Sequence, residues 1–393
     1  MIWVGFGLAV LALMVLARWN LALALFAAAL LLGLFTFDPY LIANAAGRTV
    51  TDPSVVLLAI VVGVIPVIGG LLERSGQMDA LVEHLHVGER TFFMLSPALL
   101  GMLPMPGGAL LSAPLLAKGE TTSITDADKV AINVWFRHIL FFIYPLAPAL
   151  IASAKIAGLD VYRIILYLIP GFLLTLYIGY RFWVRHLPGR EPGEKLVSRE
   201  SLLPIVIILL APAVDLLFHA VGEFPVREIP TLIGVAVSLA VAFFTSPFSF
   251  RIVVKIAREM HALGFAAIIF GMFFFLYVFQ VTSIPARLEH FPLSPYILTI
   301  PIGFLLGFVT GRIQVPVSII VPIYLVKFGS LTLPVFAVMY YSVFLGYVIS
   351  PIHPCVAVSI EYFRISFRQY VRTLTLPTLL ALAPVLLIAF FLL

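Results

Sequence analysis

Apolar runs long enough to cross about 30 Å of hydrocarbon recur along this chain, and two of them are interrupted by a pair of prolines three residues apart. The clearest case is Phe336–Ile349, followed by Ser350-Pro351-Ile352-His353-Pro354 before the apolar pattern resumes. A proline removes a backbone donor and clashes with the preceding turn, yet it fits well at the first position of a helix. Irregular backbone at membrane depth survives only where protein or a polar cavity satisfies it. The chain is therefore expected to be an all-α polytopic membrane protein, with each break facing something polar. Composition agrees, since 62% of residues are hydrophobic, 11% are charged and mean hydropathy is +1.13, far from the balance of a soluble domain.

Crossing helices are predicted at about 2–17, 21–37, 54–72, 130–153, 160–182, 202–220, 229–246, 262–283, 333–360 and 372–392. Residues 1–17 lack a basic leading region and a small-residue cleavage pattern, so they read as a first span and not a leader. Two further stretches, about 92–117 and about 296–326, each have two short apolar arms around a Gly/Pro tip. They read as re-entrant hairpins. Pro104, Pro106, Gly107 and Gly108 mark the first tip, and Gly311, Arg312 and Pro316 mark the second. A polar linker, 183–201, separates a first repeat, 1–182, from a second, 202–393.

The two halves align at a shift of 206 positions. It carries Glu83-His84 onto Glu289-His290, Gly101 onto Gly307, Ser112 onto Ser318, Pro145 and Pro148 onto Pro351 and Pro354, and Ser153 onto Ser359. Each half has five crossings and a hairpin that leaves on the side it entered. Five is odd, so the second repeat is expected to be inverted relative to the first. With both termini outside, 16 of the 24 Lys and Arg residues fall on the inner side and 6 on the outer, with Arg137 and Arg312 inside spans. The first hairpin is then expected to open inward and the second outward.

Half-helices that start near the midplane aim unpaired N–H groups and positive dipole ends at one place, which suits an anion. Inverted repeats with broken helices are the pattern of secondary transporters. The expected solute contacts are Pro106, Gly107, Gly108, Ser112, Pro148, Arg312, Gln314, Ser318, His353 and Pro354. Pro106, Pro148, Pro316 and Pro354 are expected to start the half-helices. Arg312 is the key member, because a charge at that depth is costly unless it has work to do. Its plainer reading is a clamp on exposed carbonyls. His353 either binds solute, carries a proton or caps backbone. Ser153, Thr310 and Ser359 offer neutral oxygens to Na⁺, and His138 offers a proton site. Arg137 reads equally as a snorkelling cation. Asp215 and His219, four apart, read as a helix-face pair.

Other classes are less well served. The net charge of +5 sits in loops, so nucleic acid is not an expected partner. Cys355 is the only cysteine, which leaves no intramolecular disulfide. The sequence displays no metal-ligand cluster and no nucleophile–base arrangement, so no enzyme activity and no cofactor are expected, Na⁺ as a coupling ion aside.

At GMLPMPGGALLSAPLL (101–116) and GYVISPIHPCVAVSIEYF (346–363) the chain resembles a prokaryotic membrane family of unknown function, usually grouped with the ion-transporter superfamily. Divalent anion/sodium symporters, gluconate permeases, arsenite-efflux permeases and some sodium/proton antiporters belong to that superfamily. The resemblance implies an elevator-type fold, a homodimer and a place in the prokaryotic inner membrane. The symporters carry Ser-Asn-Thr at each hairpin tip, where this chain has Pro104-Met105-Pro106-Gly107-Gly108 and Thr310-Gly311-Arg312-Ile313-Gln314. Their dicarboxylate specificity and two-sodium scheme do not carry over. The expected function is secondary active transport of a small, anionic solute coupled to Na⁺ or H⁺. The alternative is an antiporter or efflux permease for an inorganic ion.

Overall fold

The computed structural model describes residues 1–36, 38–83, 88–102, 108–118, 124–188, 199–222 and 224–392. It is 82% helical, and no strand occurs among the described residues. The first half contains α1 (Ile2–Leu16), α2 (Leu21–Leu34), α3 (Pro39–Thr51), α4 (Pro53–Arg74), α5 (Gln77–Glu83), α6 (Glu89–Gly101), α7 (Ala109–Lys118), α8 (Asp126–Ile139), α9 (Pro148–Ile156) and α10 (Val161–Gly179). The second contains α11 (Arg199–Val221), α12 (Glu228–Phe244), α13 (Phe250–Glu259), α14 (Ala262–Val281), α15 (Ile284–Leu288), α16 (Pro295–Thr299), α17 (Pro301–Thr310), α18 (Gln314–Phe328), α19 (Leu333–Ile349), α20 (Pro354–Phe363) and α21 (Phe367–Leu392).

Six helical segments are long and apolar enough to cross a membrane: Pro53–Arg74, Val161–Val184, Leu202–Val221, Ala262–Val281, Leu333–Phe363 and Phe367–Leu392. Helices α1, α2 and α12 are equally apolar but have 15, 14 and 17 residues, short of the roughly 20 that a straight crossing needs. The segments differ in what they bury. Every residue of α19 from Val335 to Ile349 is buried, whereas α10 and α21, both packed on it, leave Leu166, Leu173, Leu387 and Phe390 exposed. A helix that is apolar all round and exposed on one side is suited to face lipid.

Both broken spans break where the prolines stand. Helix α8 runs into a 3₁₀ turn, Leu140–Phe142, and α9 starts with Pro148 in its first turn; α19 stops at Ile349 and α20 starts with Pro354 in the same place. Pro316 departs from expectation. Helix α18 begins at Gln314, so Pro316 lies inside its first turn, where a missing N–H still costs no intrahelical bond. Four helices escaped the sequence reading, two of them, α5 and α15, only seven and five residues long. α3 and α13 are short and amphipathic, and such a pattern is invisible to a search for uniformly apolar runs. The first hairpin tip at 103–107, His84 and most of the 183–201 linker lie outside the described residues.

Packing partners recur at the spacing of 206. α1 packs on α2 as α11 does on α12; α2 packs on α14 as α12 does on α4; α7 packs on α20 as α18 does on α9. The closest approaches recur as well. Gly101 lets α6 rest on the Arg137 carbonyl of α8, and Gly307 lets α17 rest on the Val343 carbonyl of α19. The helices therefore form two packing groups. One contains α1, α2, α4, α11, α12 and α14, and the other contains α6 to α10 and α16 to α21.

At one end of the molecule a polar network ties these groups together. Lys155 Nζ lies 2.7 Å from Glu228 Oε1, and the Ser54 hydroxyl bonds Glu228. Nearby, buried Asp215 accepts from the Tyr162 hydroxyl and, at 2.9 Å, from Thr231 Oγ1, with His219 Nδ1 3.2 Å away. The expected Asp215–His219 pair is thus part of a larger cluster. Replacing Glu228 by Gln is expected to lower stability by roughly 1–3 kcal/mol, because it strips a half-buried ammonium of its counter-charge. A double-mutant cycle with Lys155→Met, read by thermal unfolding in detergent, should give a coupling above about 1 kcal/mol. Simple additivity would mean that the pair is only a solvated contact.

Candidate anion site

Three half-helix N-termini meet at a cavity of ≈ 420 Å³: Pro148 and Ala149 of α9, Gln314 of α18, and Pro354 and Cys355 of α20. No side chain caps any of the three. Their first-turn amides are thus left without side-chain partners, at the positive end of each helix dipole. Gly311 brings the second hairpin tip to the same place. Its φ of 57° lies in the left-handed region, and a Cβ there would meet the Ile352 carbonyl carbon and the His353 nitrogen. The tip therefore rests directly on the break in α19–α20, and Arg312 is fixed beside His353.

The cavity lining includes Arg137, Arg312, His138, His353, Cys355 and Tyr347, and no Asp or Glu among the described residues. The two arginines differ. Arg137 is 4% exposed, and its guanidinium donates to the Leu100 carbonyl at 3.1 Å and to Ser112 Oγ at 3.3 Å. It clamps both arms of the first hairpin to α8, which corrects the snorkelling reading. The guanidinium of Arg312 lines the cavity and has no hydrogen bond or ion pair to protein among the described residues, so its clamp reading has no visible carbonyl to hold.

The aromatic groups form a tight set. The His138 and His353 rings lie 4.7 Å apart between centroids, and Tyr347 stacks on His353 at 4.0 Å. His138 Nδ1 lies 2.7 Å from the Val134 carbonyl, which assigns the proton to that nitrogen. His353 is 1% exposed, and neither of its ring nitrogens has a partner. A buried polar atom left so is costly unless a ligand or water completes it. The ligand atoms of His138, His353 and Cys355 all lie within 4.8 Å of one another, a spacing that could hold a soft metal ion. No sequence spacing announces this trio, because its members come from α8, the break and α20. Two guanidiniums and three helix N-termini face the same space, so the electrostatic field favours an anion over a bare cation.

Of the expected solute contacts, Gly108, Pro148, Arg312, Gln314, His353 and Pro354 line the cavity, as does His138. Pro106 and Gly107 lie outside the described residues. The hydroxyls are elsewhere. Ser112 serves Arg137; Ser153 donates to the Ala149 carbonyl at 2.5 Å; Thr310 donates to the Leu306 carbonyl at 2.6 Å; Ser359 accepts from Asn133 Nδ2 at 3.0 Å. Ser318 Oγ is buried without a partner and, like the other four, is not part of the cavity lining. Sequence reasoning left out Tyr347, Cys355, Phe141, Phe265 and His261. Cys355 stands inside the Pro-x-x-Pro break and could have been singled out; nothing in the sequence around Phe265 or His261 marks them.

An all-helical chain with six candidate spans and a polar cavity among broken helices has the makeup of a helical membrane protein. Residues 3–392 match the family described as Protein of unknown function (DUF401), and the chain belongs to that family. No curated protein matches it.

Proposed function

We propose that this protein is a secondary active transporter that moves a small, anionic solute across the cell membrane. The observation that carries the reading is the partner-free guanidinium of Arg312, held among uncapped helix N-termini in a cavity with no acidic side chain among the described residues. Such a site attracts negative charge and has no counter-ion of its own. The recurrence of packing partners at 206 residues supports two repeats. The repeat parity and the Lys/Arg asymmetry support their inversion, with both termini outside. The helices bearing the cavity would move as one elevator body, α6 to α10 with α16 to α21, against the remainder as a scaffold. Coupling to Na⁺ or H⁺ and assembly as a homodimer complete the proposal and draw on the resemblance. The soft donor trio of His138, His353 and Cys355 favours a second reading, efflux or exchange of an inorganic ion.

Alternating access can be tested without knowing the solute. Cys355 is the chain's only cysteine, and it lines the cavity. In right-side-out and in inverted vesicles, a membrane-impermeant thiol reagent is expected to modify Cys355 from both faces, at unequal rates. Modification confined to one face under every imposed Na⁺ or pH gradient would overturn the transporter reading.

A further inference from the structure

The donors and the apolar surfaces of the cavity are unevenly distributed, and that distribution defines a class of solute. Only one of the two guanidiniums is without a protein acceptor among the described residues. Arg137 already donates to the Leu100 carbonyl and Ser112 Oγ, whereas Arg312 has no such partner among the described residues. The orphaned nitrogens of His353, the side chain of Gln314 and the start of α18 lie next to Arg312 along the chain or across the Gly311 contact. Donors for one oxyanion headgroup therefore gather around the second hairpin tip. Much of the remaining wall is apolar: Ala109, Phe141, Ala149, Phe265 and Val358. His261, exposed at the start of α14, is a further polar group on that side.

We infer that the cavity takes an organic monoanion, a single carboxylate or similar headgroup joined to an apolar, branched or aromatic body. This inference rests on the anion-transporter reading. A planar carboxylate matches the fork of a free guanidinium. A second carboxylate would lie largely against the side chains of Phe141, Phe265 and Val358, with only the α9 amides and the already engaged Arg137 as further donors, so the loss of its water would be poorly offset. At ≈ 420 Å³ the cavity also falls within the roughly 300–1,000 Å³ typical of sites for organic ligands. A bare inorganic oxyanion would leave the apolar wall wet. Phe141, Phe265 and Val358 would instead cover the body of an organic acid, a gain proportional to the apolar area removed from water.

The full-length protein, purified in detergent, is titrated calorimetrically with phenylacetate, succinate and sulfate at equal ionic strength. Phenylacetate is expected to bind at least about tenfold more tightly than either of the others. Arg312→Gln is expected to weaken phenylacetate binding by about tenfold or more and Arg312→Lys by less, since Lys keeps the charge but loses the fork. Both variants should melt close to wild type, because Arg312 holds no protein group. Tighter binding of succinate or sulfate overturns the monoanion class and leaves the anion site standing. Binding of none of the three overturns the inference, and the Cys355 accessibility test then decides the transporter reading separately. Undiminished phenylacetate binding by a folded Arg312→Gln protein removes the headgroup site from Arg312 and overturns the inference as well.

Discussion

Gly307→Ala is expected to cost the protein its fold. A Cβ at this position would overlap the Val343 carbonyl oxygen and press on the Tyr347 nitrogen. Neither is the end of a flexible side chain that could turn away. Helices α17 and α19 would have to separate, and with them the second hairpin would leave the break that it rests on. Overpacking a core usually costs about 1–3 kcal/mol; a clash with rigid backbone on both sides should exceed about 3 kcal/mol. Gly101→Ala is expected to behave alike, because its Cβ would overlap the Arg137 carbonyl. Gly303→Ala is the control, since its nearest atom, Val343 Cγ2, lies at an ordinary 3.4 Å. Melting in detergent should be near wild type for Gly303→Ala, while the other two should yield little monodisperse protein. Wild-type melting of Gly307→Ala would show that α17 and α19 do not approach this closely.

Arg137→Ala is expected to destabilise the protein more than Arg312→Gln does, although both remove a charge from the same cavity. Arg137 satisfies the Leu100 carbonyl near the end of α6 and Ser112 Oγ in α7. Each buried polar group left without its partner costs roughly 1–3 kcal/mol, so truncation should lower stability by about 2–5 kcal/mol. The desolvation of a buried guanidinium works in the other direction and is relieved by the substitution, which keeps the effect below the simple sum. Arg312 leaves no protein acceptor behind, so Arg312→Gln should shift stability by less than about 1 kcal/mol. Thermal unfolding of the two variants side by side checks the ranking. The opposite ranking would exchange the roles, with Arg312 the clamp and Arg137 the group available to solute.

The broken architecture was legible because proline and glycine act locally. Pro148 and Pro354 remove a donor and fix φ wherever they stand, so the helix starts could be placed from the sequence. Pro316 shows the limit, because a proline fits anywhere in a first turn and does not say which residue begins it. The shift of 206 was legible for a related reason, since scarce residues in register are informative where leucines are not. Helices α3 and α13 were missed because an amphipathic surface helix gives no apolar run.

What the sequence determined by itself was therefore a chain built to lie in hydrocarbon, with breaks at fixed places and few charges to put in them. What only the tertiary structure decided was which side chains converge. Ser153, Thr310 and Ser359, the candidate ion ligands, are hydrogen-bonded within the protein and stand outside the cavity lining, because a hydroxyl in a helix can turn back to a carbonyl one turn earlier or meet a neighbouring amide. Arg137 and Arg312 looked alike as intramembrane charges. One has a carbonyl and a hydroxyl within reach and the other has neither, and that difference depends on how α6, α7 and α8 pack. His138 meets His353, Tyr347 and Cys355 because α8 packs beside the break between α19 and α20, and the left-handed Gly311 brings Arg312 to the same break from a hairpin tip 42 residues before His353. Local chemistry fixes where a helix stops. Only long-range packing fixes what faces it there.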